Sequence, residues 1–356
     1  MSRSRLRITV LATALVCPAL AAAQTPQPPA PPTPAPQDPA YPTVTVGGLS
    51  YLQYDGELKN RDAFNAFDLT RGYLNIVADV AKNVRFRITP DVRRITDGSL
   101  AGSLTFRLKY GYAQVDNVLG DKSWLRLGLH QTPWLDFEES INRYRVQGPM
   151  FAEREGVIPG SADFGIGYLA PLPSSYGEIN VGVYNGEGYA KAEANKAKSF
   201  QGRATIRPFP DALLAKGLRL SAFYDLGSYS SGHPRRHGIV MASFEHTYFA
   251  GTAQWLAGTE GPPSPAADTH PRGASVFAEV RQGLEGWAAI ARVDRFDPDR
   301  STPDNSTRRI IAGVAYWLKW SKSRVGFVVN DEDVRYEAGR KKPDENRLLF
   351  QTHIQF

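Results

Sequence analysis

The 356-residue chain has one cysteine, three methionines and six histidines. The cysteine, Cys17, lies in the N-terminal apolar stretch, so a chain trimmed after that stretch has none. This excludes a disulfide-stapled fold and a cysteine-ligated metal centre, and no other metal cluster is readable. Charge of one sign is also scarce: 42 basic and 36 acidic residues leave +6, which is not the excess of a nucleic-acid binder. From about Thr43 onward no helical period stands out, and no apolar run there is long enough for a helical membrane span. No local nucleophile motif is present, which argues against an enzyme.

What is present begins with Arg3, Arg5 and Arg7, an apolar run from Ile8, and small residues at Ala21–Ala23. That pattern predicts a cleaved secretory signal peptide over 1–23. Val16, before the cysteine, is not the small residue a lipid anchor requires. Losing the three arginines takes the net charge from +6 to about +3. The stretch TPQPPAPPTPAPQDPAYP follows, an extended spacer over 24–42 that cannot bury a core. The remaining residues, 43–356, form one expected domain.

That domain is strand punctuated by turns. Runs of roughly ten alternating residues, rich in Val, Ile, Tyr, Phe and Trp, are bounded by Gly, Pro, Asn and Asp. They fall near 43–54, 66–80, 84–95, 103–116 and 123–133, and continue to 346–356, about sixteen in all. Short connections (AKN at 81–83, GDKS near 120–123, GLEG at 283–286, SKS at 321–323) alternate with long ones at 55–65, 134–161, 259–272 and 334–345. The expected fold is all-β: a transmembrane antiparallel β-barrel with short periplasmic turns and longer external loops. Low mean hydropathy agrees with this, because only every second residue of such a barrel meets lipid. The closing residues LLFQTHIQF have Phe356, Ile354, Thr352, Phe350 and Leu348 on one face and resemble the terminal strand by which bacterial outer-membrane proteins are recognised.

Sixteen strands leave a lumen wide enough for water, so the inward face carries the function. Alternation assigns that face. In LTFRLKYGY, Leu104, Phe106, Leu108 and Tyr110 are expected toward lipid, with Arg107 and Lys109 inside. In VRFRITPDVR, Arg85, Arg87 and Arg93 face inward with Asp91; next come Arg126 and His130. The same procedure turns Arg203, Arg207, Arg219, Arg292, Arg309, Lys319, Arg324 and Arg347 inward. The inward acids are Asp79, Asp91, Glu178, Asp225, Glu279 and Asp294. Placement follows from the cost of a charge toward lipid, roughly 2–4 kcal/mol at midplane, but the basic bias does not. A basic lining concentrates anions and repels cations. HPRRH at 233–237 reads as a solvated basic loop, and Trp124, Trp134, Trp255, Tyr316, Trp317 and Trp320 as strand-end or outward aromatics, several of them girdle residues.

The stretches FDLTRGYLNIVADVAKNVRFRITPDV, LKYGYAQVDNVLGDKSWLRLGLHQTPWLDFEES and FAERE resemble the phosphate-selective porin O and P family over residues 67–155, and the strand rhythm continues to Phe356. The resemblance implies sixteen-stranded, usually trimeric outer-membrane channels in which an inward-folded third loop narrows the pore. It implies passive diffusion of phosphate or other small anions along arginine and lysine side chains. Arg71 matches the arginine of the first motif, beside Thr70 where phosphate-specific members pair two arginines. The third loop, about 134–161, holds Arg143, Arg145 and Arg154, with Arg143 or Arg145 nearest to the constriction lysine that this loop lacks. Glu138, Glu139, Glu153 and Glu155 share the loop. No cofactor or nucleic acid is implied; the partners are small anions, lipid and further copies of the chain. A general non-selective porin is the alternative, followed by an adhesive or enzymatic barrel.

Overall fold

The computed structural model describes residues 40–356 except 61, 96–97, 194, 231–232 and 263–266. The expected signal peptide and all but the last three residues of the expected spacer lie outside the described residues. Sixteen strands pair antiparallel with their sequence neighbours and close into one barrel. They are β1 Thr43–Lys59, β2 Asn65–Ala81, β3 Val84–Arg94, β4 Leu104–Asp116, β5 Trp124–Gln131 and β6 Ala162–Pro171. Next are β7 Gly177–Tyr184, β8 Ser199–Ile206, β9 Leu218–Ser230, β10 His233–His246 and β11 Phe249–Glu260. The circuit ends with β12 Arg272–Arg281, β13 Gly286–Asp297, β14 Thr307–Trp320, β15 Ser323–Tyr336 and β16 Glu345–Gln355. Strand β16 pairs with β1 through Tyr51 opposite His353 and Leu49 opposite Gln355, so no sheet edge remains. Among the described residues no helix is long and apolar enough to cross a membrane; the strands cross it.

Closure explains the alternation. Along β13, Trp287, Ala289, Ala291 and Val293 are exposed outward while Ala288, Ile290, Arg292 and Asp294 are buried inward. Backbone groups pair with the neighbouring strands around the closed circuit, so apolar side chains can face lipid without leaving a sheet edge in the bilayer. Just past the end of β16, Phe356 exchanges backbone hydrogen bonds of 2.9 and 3.1 Å with Gly48 of β1. The Phe356 ring lies where a side chain on residue 48 would stand, which is why glycine fits there.

Several expectations are corrected. Tyr110 is buried and faces inward, with Arg87 4.6 Å from its ring centroid and Tyr73 6.3 Å away edge-on. A bulge causes the reversal: Thr89 pairs with Tyr110 and Pro90 with Leu108, leaving Lys109 as the extra residue. A second bulge at Thr70 separates the pairs Tyr51–Arg71 and Leu52–Leu69. HPRRH is no loop; it begins β10, with Arg235 bonded to Asp225 at 3.5 Å and His237 to Glu260 at 3.0 Å. Trp134 and Trp317 are wholly buried inside the barrel rather than lying in a girdle, and Trp124 stacks inward on Arg126. The loop rhythm also has exceptions: an eleven-residue connection over 207–217 on the short-turn side, and only residues 231–232 between β9 and β10 on the other.

Candidate functional site: the lumen and its inward-folded segment

Residues 132–161, between β5 and β6, fold into the barrel as α1 (Leu135–Ile141), a 3-10 turn (Arg145–Gln147) and α2 (Phe151–Arg154). An apolar seam docks this segment on one side of the lumen. Trp134, Leu135, Ile141, Met150 and Phe151 pack on Phe223, Ile239, Met241, Leu256 and Phe296 of β9–β13. Tyr144 and Val146 pack on Phe277, Ile290, Trp317 and Val328 of β12–β15. Burying each large side chain contributes roughly 1.5–3 kcal/mol, so the seam is a second core within the barrel.

Polar bonds fix the orientation. Arg154 reaches Glu332 of β15 at 2.9 Å, and Arg309 and Arg347 bond the same carboxylate. Arg143 bonds Glu279 of β12, which also accepts from Arg281 at 2.8 Å and from the Tyr144 hydroxyl at 2.6 Å. The Gln351 amide donates to the Val146 carbonyl at 2.8 Å. Glu138, wholly enclosed, accepts from the Trp134 indole at 3.1 Å and the Gln254 amide at 2.6 Å. Burial pushes its carboxyl up to about 7, against the opposing pull of Arg292. Arg145 stays within the segment, bonded to Glu139 at 2.7 Å and Glu153 at 2.6 Å. Of the three arginines expected to line the constriction, Arg143 and Arg154 therefore anchor the segment to the wall and Arg145 ties it internally. A largely buried guanidinium requires a carboxylate, and each has taken one.

The inward wall divides by what its cations touch. From β8 to β16 most of them are held by acids: Arg203 by Glu178, Arg219 by Glu245, Arg292 by Asp294, and Arg309 by Glu332. Arg203 and Arg292 are buried as well, so neither presents a free guanidinium to water. Arg324 is an exception; it lies 5.1 Å from the Trp317 ring and donates to Gln355 at 3.2 Å. At the short-turn rim of β3, Arg85 pairs with Asp79 at 2.7 Å.

Across β2–β5 the cations instead stack on aromatic rings. Arg71 stands 5.5 Å from the Tyr51 ring and 4.9 Å from that of Tyr73. Arg87 stacks on Tyr110 and donates to Asn75 at 2.7 Å and Thr89 at 3.1 Å. Arg126 lies 4.0 Å from the Trp124 ring and 4.9 Å from that of Tyr112, and donates to Gln114 and Gln131. Among the described residues none of these three bonds a carboxylate, so their orientation is fixed while their charge remains. Arg93 shares the face of Asp91 near the long-loop end of β3. Arg107 pairs with Asp91 at 3.1 Å and bonds the Tyr189 hydroxyl at 2.6 Å. Lys109 faces inward as expected but is no pore-lining residue: Tyr189, 3.6 Å away, and Ser161 cover it completely.

The acids on the free edge of the segment oppose this wall. Asp136 is exposed to the lumen and acts electrostatically on Arg126, Arg87 and Arg203, while Glu139 and Glu153 act on Arg71. A cavity of about 170 Å³ lies here, lined by Arg126, Gln131, Asp136, Asn180 and Arg203 among others. Sequence reasoning listed Arg71, Arg87 and Arg126 but missed Tyr51, Tyr73, Tyr112 and Asp136. Of these three arginines, only Arg71 has a tyrosine partner nearby in sequence, at Tyr73; Tyr110 and Tyr112 reach Arg87 and Arg126 from the neighbouring strand. Among the described residues no group of three His, Cys, Asp or Glu could hold a metal ion.

No family model and no curated protein sequence matches the chain. Solved structures do. An anion-selective porin from Comamonas acidovorans superposes with a TM-score of 0.61 at 13% identity, covering 88% of this chain and 100% of that one. OmpT in its trimer form, an outer membrane protein of Vibrio cholerae, gives 0.58 at 10% identity over 88% and 99%. The outer membrane channel DcaP of Acinetobacter baumannii gives 0.57 at 14% identity over 88% and 97%. At such identities the likeness is one of fold: a porin-like, sixteen-stranded transmembrane barrel.

Proposed function

We propose that the chain is an outer-membrane porin, exported by its N-terminal signal and passing small anions by passive diffusion. One asymmetry carries this reading. The inward-folded segment fills the β9–β16 side of the lumen, while the opposite wall holds Arg71, Arg87 and Arg126 without carboxylate partners among the described residues. Ring stacking keeps those guanidinia pointed and charged, and an anion in the gap meets them one after another. Arg87 and Arg126 already donate to amides and hydroxyls, so their grip on a passing anion is short-lived. Asp136, Glu139 and Glu153 across the gap temper the preference, which favours general anion passage over strict phosphate selectivity.

Phosphate or polyphosphate as the physiological solute, membership of the O and P family, and a homotrimer are the finer proposals. The fork of Arg71, which bonds no carboxylate among the described residues, suits a phosphate oxygen pair, and one structural neighbour is a trimer. Proteoliposome swelling in matched small anionic and cationic solutes tests the general reading: faster entry of the anion supports it, and faster entry of the cation overturns it. Millimolar phosphate blocking chloride conductance would support the narrower one; chloride conductance unchanged by phosphate would overturn it.

A further inference from the structure

The outward face carries a charge pattern that the pore does not use. Arg295 of β13 pairs across the sheet with Arg308 of β14, and Arg308 with Arg335 of β15. Three arginines thus stand side by side on adjacent strands, about 5 Å apart from one strand to the next. All three are exposed on the lipid-facing side. Like charges directly opposite one another destabilise a sheet, so the row is a standing cost unless something negative offsets it. The protein offsets it in part: Asp333 bonds Arg335 at 3.0 Å, and Glu337 lies 3.5 Å from Arg295. Arg308 has no carboxylate partner among the described residues. Ser306, Tyr336 and the three arginines border a surface depression of about 290 Å³. Lys341 and Lys342, exposed on the connection between β15 and β16, add positive charge at the same rim.

Depth in the membrane identifies the occupant. Eight residues from each arginine toward the short-turn rim, Trp287, Tyr316 and Phe327 form a second cross-strand row on the same face, Trp287 and Tyr316 with ring centroids 5.0 Å apart. Eight residues span about 26 Å along a strand, or about 20 Å along the membrane normal at the usual tilt. Between the rows lie Val293, Ala291 and Ala289 on β13 and Ile310, Ala312 and Val314 on β14, while β15 carries Asp333, Asp331 and Val329, with Asp331 held by the Asn346 amide at 3.0 Å. The aromatic row therefore marks one edge of the hydrocarbon, and the arginine row sits near the other, at the depth of the outer-leaflet headgroups.

We propose that Arg295, Arg308 and Arg335 form a binding site on the barrel exterior for the phosphate of a phosphorylated glycolipid in the outer leaflet, whose acyl chains lie on the apolar face of β13 and β14 below. A guanidinium row offers paired N–H donors to phosphate oxygens, and the lipid tail supplies apolar contact that free phosphate lacks.

The test uses the full purified protein in detergent with a phosphorylated lipid A and its dephosphorylated counterpart, reading bound lipid per barrel by native mass spectrometry. The native protein is expected to hold the phosphorylated lipid at least tenfold more tightly than the dephosphorylated one. R295Q/R308Q/R335Q should lose that difference, while the triple lysine variant keeps most of it. Conductance and heat-modifiable gel mobility report folding; if the triple variant does not fold, R308Q alone should weaken binding about threefold. Equal retention of both lipids, undiminished binding by the glutamine variants, or full displacement by millimolar inorganic phosphate would overturn the proposal. The last result would mark a site for free anions.

Discussion

Arg154 and Glu332 join the inward-folded segment to the barrel wall at 2.9 Å, and Arg309 and Arg347 converge on the same carboxylate. Glu332 is wholly buried, so this one carboxylate is shared by three cations in a region of low polarity, and Arg347 also pairs with Asp55 at 3.1 Å. Removing one member of such a group leaves buried charge uncompensated, at a cost of about 3–5 kcal/mol. E332Q is therefore expected to lower the unfolding temperature and make the open channel noisy as the segment comes loose. An unchanged melting curve and a quiet channel would show that the apolar seam alone holds the segment.

Asp136 faces the lumen with no ion-pair partner among the described residues, opposite the stacked arginines. D136N removes negative charge from the gap without releasing an arginine, unlike changes at Glu139 or Glu153. It should raise the anion-to-cation permeability ratio severalfold with little effect on stability. A ratio that stays constant would place the ion path elsewhere.

Glu138 supplies a pH dependence with a definite sign. Its carboxyl is pushed up to about 7 by burial, above the ordinary 4.5, so the docked state favours the protonated form. Docking is firmest below about pH 4.5 and weakens as pH rises through 7. Relative to E138Q, which stays neutral, the native melting temperature should fall between pH 5 and pH 8. Parallel curves for the two proteins would contradict this assignment.

Gly48 lies beneath the Phe356 ring, and a side chain there would stand 2.5 Å from the ring's edge. G48V is expected to displace the ring, weaken the β1–β16 closure and increase heat lability on a gel. G98A, at a loop glycine with open space around it but φ of +71°, controls for local strain and should leave the closure unaffected.

The strand count, the antiparallel order and the long inward loop were legible because a bilayer imposes period two and a closed sheet imposes alternating connections. Register was less legible. The bulges at Thr70 and Lys109 each insert one residue, and Lys109 reverses the direction of Tyr110 without leaving a mark in composition. Trp134 and Trp317 were misread for a different reason. A lumen wall packed by a folded loop is apolar on both faces, so alternation loses its contrast where Phe223, Ile239, Leu256 and Trp317 point inward. Inward arginines could be named from sequence, but whether each meets a carboxylate or a ring depends on contacts across the barrel. That distinction separates Arg154 from Arg71.

The most direct test of the anion path is the zero-current potential of the purified protein in a planar bilayer under a potassium chloride gradient, repeated with R71Q/R87Q/R126Q. The native channel should give a potential of anion-selective sign, and the variant should move it toward or past zero while the channel still opens. A cation-selective potential from the native protein, or an anion-selective one that the three substitutions leave unchanged, would contradict the role assigned to the stacked arginines.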